Sequence, residues 1–166
     1  MSDGTEKRLI IRFDPAIASS TGKPSPDFEE NVIQNNPIPW DARGGQQIAM
    51  DFDFDGLPLG RYPGSIVWHW YDLKAYQRMF ATEEYFVIQL GGYSEGLANI
   101  TGDLVRIGTF GLCLEGQRRK LPRIERTDGT HFYEIGIFSR AQIIAEIETA
   151  MACVEAEILK IADGLK

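Results

Sequence analysis

The stretch from Ser139 to Gly164 limits the fold most. Ser139 and Gln142 form an S-x-x-Q pattern, in which each side chain satisfies a free N–H at a helix start. Ile143, Ile147, Ala150, Met151, Val154, Ile158 and Ile161 follow at helical spacing, and Gly164 supplies a stop. A helix of about six turns with one apolar stripe needs an apolar surface to cover.

Strands upstream can supply that surface. KRLIIRF, residues 7–13, places Leu9, Ile11 and Phe13 on one face. Ile48, Met50, Phe52 and Phe54 alternate with Ala49, Asp51, Asp53 and Asp55, the period-two mark of a half-buried strand. SIVWHWY, EYFVIQL, DLVRIG, FGLCLEG, KLPRIER and HFYEIGIF read as further strands, and TDGT at 127–130 joins the last two as an Asp-Gly hairpin. GLPLGRYPG and LANITG read as turn-rich. Ser25-Pro26 starts a short helix ending near Asn35, and Asp72 caps another through LKAYQRMF. The expected fold class is α+β: one domain over 1–166, a mostly antiparallel sheet with the C-terminal helix packed on one face, and one or two short helices. At 166 residues such a chain buries roughly two-thirds of its unfolded surface, so it needs neither disulfide nor structural metal. Cys113 and Cys153 read as buried, reduced thiols of a cytoplasmic protein. The N-terminus carries no secretory h-region and no stretch is long and apolar enough for a membrane span.

Four groups of residues carry possible chemistry. Asp51, Asp53, Asp55 and Gly56 match the first half of an EF-hand loop. Its twelfth position, however, is Tyr62, and Leu57 and Leu59 stand at the seventh and ninth. The alternating phenylalanines explain the spacing better, as a solvated strand face ending in an Asp-Gly turn. That acidic row is a candidate contact for a basic partner, because adjacent like charges cost stability that a cation would offset. Gly92-Tyr93-Ser94-Glu95-Gly96 is a literal G-x-S-x-G, with His131 downstream as a base. The segment that follows lacks the helix that a nucleophile elbow requires, and a glycine-rich turn is the plainer reading.

Arg118, Arg119, Lys120, Arg123 and Arg126 concentrate positive charge in an otherwise acidic chain. They suit an anion or a partner contact, or, as the plainer reading, a charged edge strand. Trp68 and Trp70, if on a strand, share a face that is either core or a stacking surface. With two histidines, and no C-x-x-C, P-loop or dinucleotide motif, no metal or cofactor is expected.

The net charge of −7 argues against nucleic-acid binding. The leading expectation is therefore a non-enzymatic binding protein, a small acidic domain of inhibitor or immunity type that sequesters a protein partner through Asp51, Asp53 and Asp55. The alternatives are a structural or assembly subunit of phage or virion type, which allows self-association, and a small hydrolase using Ser94 and His131.

Overall fold

In the computed structural model, residues 7–17, 19–41, 47–89, 95–110 and 121–165 are described. Strands β1 (Leu9–Asp14), β2 (Ile48–Phe54) and β3 (Leu57–Gly64) form an antiparallel sheet in the order β1-β2-β3. The alternation in β2 works as its pattern requires: Ile48, Met50, Phe52 and Phe54 are buried, and Ala49, Asp51 and Asp53 lie half-buried on the other face. Asp55 and Gly56 both take positive φ, 57° and 84°, the geometry of a two-residue type I′ hairpin turn. This turn sends the chain straight back, so GLPLGRYPG becomes β3 where a connection was expected. Its prolines are tolerated because β3 is an edge strand.

A second antiparallel sheet contains β4 (Tyr85–Gln89), β5 (Glu95–Thr101), β6 (Leu104–Thr109), β7 (Arg123–Glu125) and β8 (His131–Ser139), ordered β4-β5-β6-β8-β7. β5 replaces the expected turn at LANITG. Its core-facing residues include the small Ala98 beside Ile100, which mutes the apolar alternation. Gly102, at φ 59°, makes the β5–β6 turn. Gly108 permits a close approach, since an added Cβ would lie 2.4 Å from the Phe132 ring. The single expected sheet is thus two, and Lys7 and Phe138 form one isolated parallel bridge between their strands' neighbourhoods.

SIVWHWY is helical, not a strand. Helix α1 runs Ile66–Thr82, and Ser65, not Asp72, caps it by accepting the Trp68 N–H. Ile66, Val67, Trp70, Leu73 and Phe80 fall on one helical face and are all buried. A cluster of tryptophans and a β-branched pair imitates a strand over seven residues, and only the longer window reveals the period. The 26–35 segment forms a single π-helical turn at Glu29–Ile33.

Helix α2 (Arg140–Gly164) is capped by Ser139, whose hydroxyl accepts the Gln142 N–H. Gln142 does not complete the reciprocal capping box. Its amide instead reaches Leu9, accepting the N–H and donating to the carbonyl, each at 2.9 Å, while Glu146 accepts the Ile11 N–H at 2.9 Å. These bonds occupy the outer edge of β1. Arg140 donates to the carbonyls of Phe80 and Ala81, groups that the end of α1 leaves without helical partners. One cluster of buried side chains runs through both sheets and both helices, from Leu9 and Phe54 to Phe138 and Ile158. Cys153 is half-buried rather than buried and accepts the Ser20 N–H, while Cys113 lies outside the described residues. The class is mixed α+β, and among the described residues no helix is long and apolar enough to cross a membrane.

Candidate binding cleft and the acidic strand

The acidic row is wired into its sheet. Arg12 of β1 stands opposite Asp51 in register, and its Nη1 lies 2.6 Å from Asp53 Oδ2. Asp53 Oδ1 also accepts the Gly56 N–H at 2.7 Å, so this residue fastens the type I′ turn. Asp51 Oδ1 is buried without a hydrogen bond. Burial pushes the Asp51 carboxyl pKa up and the Asp53 charge adds to this, with Arg12 opposing. Asp55 is exposed in the turn. The three residues that share a sequence period therefore occupy three different environments.

The basic segment divides. Arg118, Arg119 and Lys120 lie outside the described residues. Arg123 pairs with Glu125 at 2.9 Å on the edge strand β7, and the Arg126 guanidinium sits 5.7 Å from the centre of the Tyr85 ring. Ser94 also lies outside the described residues, so the proposed nucleophile is not placed against its base. The His131 ring meets Tyr133 edge-on, and its Nδ1 is 3.4 Å from Arg123. Among the described residues no group of three or more His, Cys, Asp or Glu side chains is placed to hold a metal ion.

The two tryptophans of WHW part company, because two residues on a helix are about 200° apart. Trp70 is 2% exposed, and its indole N–H goes to Glu155 at 3.1 Å. Glu155 also accepts the Ser25 N–H, and burial pushes its pKa up against these two bonds. Trp68 is 46% exposed and meets Trp40, itself 61% exposed, with ring centres 5.3 Å apart at 59°. Around them opens a cleft of about 640 Å³, lined by Trp40, Asp41, Gln47, Tyr62, Ser65 and Trp68 among others.

No family model, curated protein or solved structure matches this chain.

Behind the cleft the polar groups are organised. The Trp68 indole N–H donates to the Tyr62 hydroxyl at 3.2 Å, and Tyr62 donates to Asp72, whose pKa burial nevertheless pushes up. His69 is fully buried below, between the Phe13 and Tyr62 rings. Its Nε2 donates to the Ile48 carbonyl, an acceptor only, which fixes the proton on Nε2 and leaves Nδ1 buried without a partner. Burial holds the His69 pKa below the ordinary histidine value, against the pull of that carbonyl. β3 passes close over the ring, since a Cβ on Gly64 would lie 3.3 Å from Cε1. His69 thus ties α1 to β2 as a neutral core group.

The cleft lies on the side of the sheet where Tyr62 faces His69, whereas Asp51 and Asp53 project from the opposite face. Trp40 and Tyr62 were not among the expected site residues. The available signal for Trp40 was its place in NNPIPWDARGG, a tryptophan in a segment with no periodicity to bury it.

Proposed function

We propose that this chain is a non-enzymatic binding protein that sequesters a protein partner, in the manner of a small acidic inhibitor or immunity-type domain. The observation that carries this reading is the exposed Trp40–Trp68 pair at the mouth of the cleft. Tryptophan is enriched among residues that dominate binding energy, typically about 2 kcal/mol or more when truncated, because a large rigid ring is desolvated in one contact. The net charge of −7 favours a basic partner and a faster encounter with it. Asp51, Asp53 and Asp55 serve a secondary contact in this reading, with Arg12 already neutralising part of the row.

The test is capture with tagged protein at low and moderate salt, comparing wild type with the Trp40→Ala/Trp68→Ala double variant. A stoichiometric partner that wild type retains and the variant loses, with an unchanged circular dichroism spectrum, supports the reading. Equal recovery by both proteins refutes it.

One observation favours a second reading, an assembly subunit. Tyr85, Val87, Leu104 and Ile137 all stand exposed on the face of the five-stranded sheet that points away from the core. Sedimentation velocity over a concentration series tests it: self-association that Ile137→Glu abolishes supports the reading, and a monomer at every concentration sinks it.

A further inference from the structure

We propose that the cleft takes a basic side chain of the partner, an arginine guanidinium before a lysine ammonium, held on the Trp40 and Trp68 faces and paired with Asp41. This rests on the protein-binding reading above and names the group that enters the site. Three observations favour a cation. The first is the pair of exposed indoles, rings with electron-rich faces whose centres lie 5.3 Å apart with their planes at 59°. A planar, weakly hydrated guanidinium stacks on such faces.

The second is the state of the hydrogen-bond donors. The Trp68 indole N–H and the Tyr62 O–H are both spent inside the protein, on Tyr62 and Asp72 respectively. A neutral sugar or a carboxylate entering here therefore loses two natural donors.

The third is charge. Asp41 lines the cleft, and among the described lining residues no side chain is cationic. The N-terminus of α1 opens beside the cleft and acts the other way. It is equivalent to roughly half a positive charge, set against the full charge of the Asp41 carboxylate, and the amide of Trp68 is already held by Ser65. At about 640 Å³ the cleft also admits the backbone on either side of such a side chain, being within the roughly 300–1,000 Å³ range of pre-formed sites.

The experiment is a titration of the labelled protein followed through the indole N–H resonances of its three tryptophans. N-acetyl-arginine amide is the probe, its neutral near-isostere N-acetyl-citrulline amide the control, and cellobiose the sugar control. The expected result is saturable movement of the Trp40 and Trp68 signals but not Trp70, with citrulline amide about tenfold weaker, the scale of a partly desolvated cation–π contact. Trp68→Ala abolishes the response, and the exposed-site change Asp41→Asn weakens it several-fold with the fold intact. Equal binding of the neutral probe or of cellobiose, or no saturable movement, overturns the proposal. If the arginine probe fails while the double tryptophan variant still loses its captured partner, the cation inference falls and the binding reading stands. If the probe binds and capture is indifferent to both tryptophans, the binding reading falls instead.

Discussion

Replacing Gln142 tests how α2 is attached to the first sheet. Its amide makes two bonds to Leu9, one in each direction, at 2.9 Å. Each is worth about 0.5–1.5 kcal/mol net, and more when its loss strands a buried backbone group. Leu9 is 1% exposed, so water replaces the lost partner poorly, and Gln142→Ala should cost about 2–3 kcal/mol. Alanine is the better helix former by a few tenths, so that loss is a lower bound on the contacts themselves. Urea unfolding should show a lower midpoint at unchanged slope, and the thermal midpoint should fall by about 4–12 °C for a domain of this size.

Gln142→Glu sharpens the test. It keeps an acceptor for the Leu9 N–H but sets a second carboxylate oxygen against the Leu9 carbonyl, so at neutral pH it should be no better than alanine. Below about pH 4, near the ordinary glutamate value, the protonated acid regains a donor and should recover stability relative to Gln142→Ala at the same pH. A loss under 0.5 kcal/mol for alanine, or wild-type stability for glutamate at neutral pH, would refute the claim that these bonds hold the β1 edge.

Two further outcomes follow from the core. Burial depresses the folded pKa of His69 below the ordinary histidine value, so the unfolded chain binds its proton more readily. Its contribution to stability is therefore full above about pH 6.5 and declines as pH falls toward the folded value, at up to about 1.4 kcal/mol per pH unit. Asp51, Asp72 and Glu155, all raised by burial, act with the opposite sign: their contribution is present in acid and is lost as pH rises from about 4. Chemical unfolding of wild type and His69→Gln across pH 5–8 isolates the histidine, and parallel curves would contradict its burial as a neutral group. Gly108→Ala should cost about 1–3 kcal/mol, because its Cβ would press on Phe132 at 2.4 Å; an unchanged urea midpoint would show that the ring moves aside freely.

Regular periods made most of the elements legible. The β2 alternation and the α2 stripe each extend over enough residues for one face to declare itself; the β2 set is buried throughout, and of the α2 stripe only Ile161 is half-buried. The Asp-Gly turns were legible because positive φ at Asp55, Gly56 and Gly129 needs those residue types. α1 was misread because Ile66 to Tyr71 is rich in residues that favour strands, while the cap and the spacing that decide for helix lie at Ser65 and at Leu73 and Phe80. The cleft was the least legible feature. Trp40, Tyr62 and Trp68 come from an irregular segment, an edge strand and a helix, and no local spacing encodes their meeting. The acidic row was legible as a strand, but its pairing with Arg12 joins residues 41 positions apart.

The contacts of α2 with β1 also bear on the order in which the chain can acquire its structure. The Gln142 and Glu146 bonds join residues 133 and 135 positions apart, so the edge of β1 waits for α2. Closing so long a loop is entropically slow. During synthesis the strand edge at Leu9 and Ile11 therefore stays open until α2 has left the ribosome. In that interval it can pair with another nascent chain, and a chain cut off before Ser139 would keep that edge open for good.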